Sequence, residues 1–313
     1  MKILTVSSAN MDLVLTTEKV PLGGETFISR EGYQYVPGGK GANSALAFAR
    51  LGGDSVFCTS VGSDPNGDAL VSLYDRSGIN TEYIERSTVA PTGLAAIILE
   101  KECAQNRIIV YPGANMLISD SRIDEAIDSK PDAVFMQFEI ATDAILYTAK
   151  KAAEKNIPIF FDAGPANPSF PYEKLPRLAL FSPNETECEI LTGVSPTDEA
   201  SCMKAAKVLL SKMDAEYIVL KLGGNGCYVY KNGEEKGKHC PSYPIEKVDT
   251  TAAGDAFTAG LTLEYLACGD MVRAAKYANA VGAITVSRMG ASSSIPERGE
   301  VEAFIAERGI DIG

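Results

Sequence analysis

The segment Asp249-Thr250-Thr251-Ala252-Ala253-Gly254-Asp255 carries the clearest chemical signal in the sequence. Small residues run directly into a helical pattern with Phe257, Leu261, Glu264 and Tyr265 on its repeat. Ala252, Ala253 and Gly254 leave their amides unobstructed at a helix N-terminus, where unpaired donors and the helix dipole favour an anion. A migrating phosphoryl group could sit there, with Asp255 in the first turn able to take a proton from a hydroxyl. The same residues also read as structure alone: Asp255 as a first-turn acid favoured by the dipole, and Ala-Ala-Gly as tight packing. An aspartate at its usual pKa of about 4 is a weak base. In a largely dissociative phosphoryl transfer, however, positioning and charge stabilisation outweigh early proton removal.

Three other segments have chemistry to offer. Pro37-Gly38-Gly39-Lys40-Gly41-Ala42-Asn43 joins a strand to a helix. Its glycines allow close backbone approach to a ligand, and Asn43 is either a helix cap or an amide for two adjacent hydroxyls. Asn10 and Asp12 follow the first strand, where open α/β sheets collect ligands; the alternative is an Asx-turn. In Asn184-Glu185-Thr186-Glu187, Asn184 and Glu187 have the spacing of a capping box, or else reach a metal-bound triphosphate through water. Leu222-Gly223-Gly224-Asn225-Gly226 is a hairpin turn or a floor under a nucleotide. Neither Walker A nor the dinucleotide GxGxxG pattern is met: Gly39-Lys40 is followed by Gly41, and Gly237-Lys238 by His239.

His239 is the sole histidine of the 313 residues. In a polar, turn-like stretch it reads as a surface residue, which leaves a carboxylate as the general base and sets aside Ser-His-Asp and His-rich zinc chemistry. The charge is 29 − 41 = −12, a poor match for nucleic acid or an anionic membrane. Seven cysteines, Cys103 among them, include no CxxC; Cys227 and Cys240 stand closest. That fits reduced thiols and a cytoplasmic setting. The N-terminus turns polar at Ser7, and no apolar run is long enough to span a bilayer, so a soluble protein is expected.

These groups need a scaffold. Short apolar runs at 3–7, 56–59, 133–136, 158–161, 178–181 and 217–221 read as strands. Helical patterns occupy 43–50, 67–76, 142–155, 185–191, 198–212, 252–266, 271–287 and 297–308, with Thr142 a possible cap. The alternation predicts an α/β fold, a doubly wound and mostly parallel sheet flanked by helices. Residues 1–313 read as one domain. Two stretches, about 12–37 and 83–111, hold strand-like pieces (26–29, 32–36, 92–99, 107–111) without helices, which suggests a small antiparallel sheet: a lid, or an edge decoration.

Taken together, the Gly38–Asn43 and Asp249–Gly260 regions, Met136-Gln137-Phe138-Glu139 and Pro183-Asn184-Glu185-Thr186-Glu187 resemble the ribokinase-like (PfkB) carbohydrate kinase family over almost the whole chain. Within it they are most similar to the ribokinases. The resemblance implies ATP-dependent phosphorylation of the primary hydroxyl of a small sugar, D-ribose first, with fructose, 2-deoxyribose and nucleosides as alternatives. A catalytically silent sugar-binding protein is the rival outside enzymes, which an intact Asp255 argues against. By resemblance Asp255 is the base, and the amides of Ala252, Ala253, Gly254 and Asp255 form the anion hole. Asn10, Asp12, Gly39, Lys40, Asn43 and Glu139 hold the sugar. Asn184, Glu187, Lys221, Gly223, Gly226 and Asn279 surround ATP with Mg2+. Asp249, Thr251, Thr285, Arg288, Gly290 and Ser294 mark a K+ site, mostly through backbone carbonyls.

The resemblance also implies a homodimer joined through the lid, which would cover its strand edges. Three segments depart from the family pattern: Ser7-Ser8-Ala9-Asn10-Met11-Asp12, Lys221 before the Leu-Gly turn, and Asp162-Ala163-Gly164-Pro165. None is expected to touch the base or the anion hole.

Overall fold

The computed structural model describes residues 1–101 and 105–313, so Cys103 lies outside the described residues. Its larger sheet is built from β1 (Lys2–Val6), β4 (Asp54–Gly62), β5 (Ile84–Ser87), β8 (Ala133–Met136), β9 (Ile159–Asp162), β10 (Leu178–Ser182), β11 (Ala215–Lys221), β12 (Cys227–Lys231) and β13 (Lys238–Cys240). Their order is β13-β12-β11-β10-β9-β8-β1-β4-β5. From β11 to β5 every pairing is parallel; only β12 and β13 run antiparallel.

Alternate residues of these strands enter opposite layers. Ile3, Phe160, Leu180 and Val219 pack into one apolar core. Leu4, Phe161, Phe181 and Leu220 pack into the other. A sheet covered on both faces needs near-continuous apolar strands, which is the pattern these runs have. The first layer contains α1 (Lys40–Arg50), α7 (Ala253–Cys268) and α8 (Met271–Val286). The second contains α3 (Asp120–Asp128), α4 (Thr142–Glu154), α5 (Glu185–Thr192) and α6 (Glu199–Leu210). From β1 the chain winds outward to β4 and β5, then returns to β8 and proceeds the other way to β11. The order therefore reverses between β1 and β8, and at such a point the carboxyl ends of the strands open a crevice.

Four strands form a second sheet, ordered β3-β2-β6-β7: β2 (Asn10–Thr17), β3 (Tyr33–Gly38), β6 (Gly93–Glu100) and β7 (Gln105–Tyr111). Its outer pairs are antiparallel and its central pair, β2 with β6, is parallel.

Several local expectations change. Residues 26–29 form no strand. Ile84–Ser87 joins the large sheet beside β4, so the small sheet does not reach back to residue 83. Asn10 and Asp12 begin β2 and make no Asx-turn. Thr142 is the first residue of α4, with no side-chain cap before it. The stretch around His239 is the edge strand β13, where the ring meets the Asn225 carbonyl at 2.7 Å. Among the described residues no helix is long and apolar enough to cross a membrane.

Candidate active site

The polar residues gather where the strand order reverses. Ser7 and Ser8 follow β1, Gln137 and Glu139 follow β8, and Asp162 ends β9. Asn184 follows β10, and Lys221 ends β11. Two helix N-termini, those of α1 and α7, face this rim.

Helix α1 begins three residues before its apolar pattern, so Asn43 lies within its first turn and is not its cap. That cap is Gly39, at φ 92°. A Cβ there would lie 2.9 Å from the Asn10 amide, and one on Gly38 would collide with the Asp12 carboxylate. The glycines therefore serve packing of the loop against Ser8–Asp12 as well as approach by a ligand.

Freed from capping, Asn43 Nδ2 donates to Asp255 Oδ2 at 2.9 Å. Lys40 Nζ stands 3.8 Å from Asp255 Oδ1. Its pKa is pushed up, chiefly by Asp255, against the effect of burial. Asp255 itself is 5% exposed. Burial raises its carboxyl to about 6, with the nearby Lys40 charge and the Asn43 bond opposing the rise and Asp162 adding to it. A base with a pKa near the working pH is what proton transfer favours.

Ala252 caps α7 in the left-handed region at φ 61°, an uncommon conformation for a residue with a Cβ. The Ala256 amide reaches the Ala252 carbonyl at 2.9 Å. Among the described residues, the amides of Gly254 and Asp255 have no protein acceptor. They open toward the anion position that the sequence suggests.

On one side of Asp255 lies a small polar pocket. Asp12 Oδ1 and Asn43 Oδ1 are both buried without a hydrogen-bond partner among the described residues. Buried acceptors of this kind ask for donors from a ligand. Asp12 is raised to about 7 by burial first and by the charge of Glu139 second. Glu139 Oε2 accepts from the Lys40 amide at 2.9 Å and from the Ser8 hydroxyl. Asn115, which sequence reasoning missed, holds the floor: its Nδ2 donates to Asn10 Oδ1 at 2.7 Å and its Oδ1 accepts the Ala9 amide at 2.9 Å. Gln137 was also missed. Ser7 Oγ donates to its Oε1 at 3.1 Å, while its Nε2 faces Asp255 Oδ1 at 3.4 Å. A glutamine directly after the apolar run Ala133–Met136 was the available signal, and the structure buries it fully.

On the other side is a cavity of about 380 Å³. Asn184, Lys221, Gly223, Gly226, Gly254 and Asn279 line it, together with an apolar wall that includes Tyr243, Phe257, Ala283 and Val286. Gly223–Gly226 is both the β11–β12 turn and the cavity floor, so its two sequence readings coexist. Asn279 Nδ2 donates to the Cys240 and Pro241 carbonyls at 3.0 and 3.1 Å and fixes the loop beside the wall. Asn184 and Glu187 do form a capping box, with both bonds at 2.8 Å. Only Glu187 Oε2 is used there; Oε1 stands 2.8 Å from the place of a Cβ on Gly164, toward Lys40.

Asp249, behind α7, accepts from the Thr251 amide at 2.9 Å through Oδ1 and from the Gly290 amide at 2.9 Å through Oδ2. Thr285, Arg288 and Ser294 turn their side chains elsewhere, to Val281 O, Glu300 and Ala291 O. Two of the departures from the family pattern behave differently from the expectation. Lys221 Nζ pairs with Asp162 Oδ2 at 2.5 Å and stands 3.7 Å from the place of a Cβ on Gly254. The pair thus borders the anion position.

Comparison with known proteins adds a family match and close relatives. The profile described as pfkB family carbohydrate kinase matches residues 1–298. The ribokinase of Haemophilus influenzae is 35% identical over 307 residues, which is 97% of this chain and 98% of that protein. Among solved structures, a ribokinase from Thermotoga maritima superposes with a TM-score of 0.82 at 34% identity, covering 97% of this chain and 99% of that one. An Arabidopsis thaliana ribokinase complexed with ribose and ATP gives a TM-score of 0.87 at 29% identity, with coverage of 97% and 98%.

Proposed function

The chain belongs to the pfkB family of carbohydrate kinases, and from that premise we propose that it transfers the terminal phosphoryl group of ATP to the primary 5-hydroxyl of D-ribose. The observation that carries the reading is the place of Asp255. This buried carboxylate stands between a pocket of unpartnered acceptors and a nucleotide-sized cavity, beside two free helix amides.

Asp12, Asn43, Asn10 and Glu139 suit a small sugar, which offers hydroxyl donors and acceptors, and Lys40 and the Gly39 backbone close the pocket. Asp255 takes the proton of the primary hydroxyl as its oxygen bonds to the γ-phosphorus. The bond from that phosphorus to the bridging oxygen breaks, and ADP leaves with the electron pair. Of the expected anion-hole run, Gly254 and Asp255 offer free amides to the charge gathering on the transferred group, Ala252 precedes them as the cap, and the Ala253 amide reaches the Thr250 carbonyl at 3.3 Å. The apolar wall at Phe257, Ala283 and Val286 suits a purine base.

Mg2+ would arrive with the triphosphate, whose charge it neutralises. The uncommitted Glu187 Oε1 and the neighbouring Asn184 are the groups to hold its waters. For K+, the segments 249–251 and 288–294 are the seat we propose. Asp249 bridges them, and the side chains of Arg288 and Ser294 turn elsewhere and leave their backbone carbonyls for the ion, whereas the Thr285 carbonyl already accepts the Arg288 amide at 3.2 Å. A homodimer through the small sheet is favoured by its exposed Tyr33, Tyr35, Ile108, Ile109 and Val110. A cytoplasmic setting supplies ATP and agrees with the free thiols of Cys58, Cys188, Cys202, Cys227, Cys240 and Cys268.

Coupled ADP release with a panel of pentoses, hexoses and nucleosides tests the reading. Ribose is expected to give the highest kcat/KM. A higher value with fructose, 2-deoxyribose or a nucleoside reassigns the acceptor, and no turnover with any of them removes the kinase reading.

A further inference from the structure

Lys221 and Asp162 stand in two separate segments that both depart from the family pattern. In the fold they are partners. Lys221 Nζ meets Asp162 Oδ2 at 2.5 Å and Thr258 Oγ1 at 3.4 Å. Thr258 in turn donates to the same carboxylate oxygen at 2.5 Å, and the Gly164 amide donates to Asp162 Oδ1 at 3.1 Å. Lys221 is 8% exposed and Asp162 1% exposed. A buried ion pair is poor evidence of stabilisation, since desolvation of both charges offsets their attraction. Its position is more informative.

An ammonium has three N–H donors. Among the described residues two are spent, on Asp162 and Thr258. The small exposed remainder of Lys221 lines the nucleotide-sized cavity beside Ala253 and Gly254. The ammonium also lies 3.7 Å from the place of a Cβ on Gly254, the residue whose amide has no acceptor. Lys40 Nζ stands 3.8 Å from Asp255 Oδ1 and 3.1 Å from the place of a Cβ on Gly164, where Glu187 Oε1 also approaches. Two cations therefore stand near Asp255.

We propose that Lys221 is a phosphate-contacting residue: Asp162 and Thr258 hold its ammonium at the anion hole, and its third N–H binds an oxygen of the terminal phosphoryl groups of the nucleotide. The proposal rests on the reading of the cavity as a nucleoside triphosphate site. Asp162 is a positioning residue, since it acts through Lys221. The charge of the pair is balanced before the nucleotide binds, so no unpaired buried cation waits in its absence. A hydrogen bond from a charged donor supports a loss of about 10- to 100-fold when it is removed.

The test compares Lys221→Met, Asp162→Asn and the double variant Asp162→Asn/Lys221→Met with the parent full-length chain. Calorimetry reads the affinities for ATP, ADP and AMP; coupled ADP release reads kcat and both KM values. In Lys221→Met, ATP affinity is expected to fall by about 10- to 100-fold, with AMP affinity and the sugar KM little changed. Lys221→Met leaves Asp162 buried and uncompensated, so that variant could fail to fold; the double variant removes both charges and carries the test. If Lys221 only neutralises Asp162, the double variant regains parental ATP affinity, and the proposal is overturned. If it contacts phosphate, the double variant keeps the ATP defect, while Asp162→Asn alone, which loosens Lys221 but leaves its ammonium, lowers ATP affinity by less than Lys221→Met does. Preference for ATP over AMP is read without turnover, so a wrong acceptor sugar would leave this measurement standing. A parent chain that binds no ATP at all would instead remove the nucleotide reading beneath it.

Discussion

Asn43 Nδ2 donates to Asp255 Oδ2 at 2.9 Å across 212 residues of sequence, joining the first turns of α1 and α7. This bond connects the helix that borders the proposed sugar pocket to the helix that carries the proposed base. It also explains why Asn43 does not cap its own helix: Gly39 turns the chain early enough to bring the amide inward.

Asp255→Asn should lower kcat by about 10²- to 10⁴-fold, the usual span for losing a general base. ATP affinity measured by calorimetry should survive. Parental turnover in this variant would exclude Asp255 as the base.

The Asn43 bond opposes the upward shift of Asp255, which stands at about 6. The ionised carboxylate is the working form of the proposed base, so kcat/KM should fall as pH drops through about 6. Asn43→Ala removes a bond to that ionised form, and the midpoint of the kcat/KM profile should move upward. An unchanged midpoint would mean the bond does not tune the base.

Asp12 gives a separate signature. Its carboxyl stands at about 7 in the fold against 3.8 ordinarily, through burial and the charge of Glu139. The folded state holds this proton more tightly than the unfolded chain. The associated stability is therefore complete below 3.8 and lost as pH rises through about 7. Asp12→Asn should raise Tm at pH ~8, with the advantage shrinking as pH falls toward ~4. The same variant should raise the sugar KM at every pH.

Gly38→Ala places a methyl group against the Asp12 carboxylate. We expect a rise in the sugar KM with a smaller change in the ATP KM. Equal effects on both substrates would point to general unfolding of the loop.

K+ should activate more than Na+, and Asp249→Ala should abolish the difference by releasing the Thr251 and Gly290 amides. Equal rates in the two salts would remove the monovalent site. In parallel, Ile109→Asp on the exposed face of the small sheet should yield monomers by light scattering, if the homodimer forms there.

The sequence was legible where a single local pattern decides the structure. Apolar runs such as Phe160–Phe161 and Leu180–Phe181 enter the two cores alternately, as strands of a doubly covered sheet must. The Ala252–Asp255 run was legible because a helix N-terminus is a local feature. Contacts between distant segments were less accessible. Gln137 reads as one polar residue in an apolar strand; its bond from Ser7 depends on β8 lying next to β1, and its approach to Asp255 on α7 beginning above the end of β8. Lys221 and Asp162 each looked like an isolated departure, because their pairing reaches from the end of β11 to the end of β9, past β10 between them. Residues 26–29 have strand-like composition but no partner strand, so composition alone misled.

Strand β2 is eight residues long, and it does two jobs in succession. Asn10 and Asp12 occupy its first turn of the pleat beside the base, while Leu15, further along, is exposed on the small sheet. The backbone register that seats the first pair is the register that aligns β3 and β6. The register of the small sheet and the seating of Asn10 and Asp12 are therefore one constraint: slippage of β2 by a single residue would turn Asp12 to the opposite face.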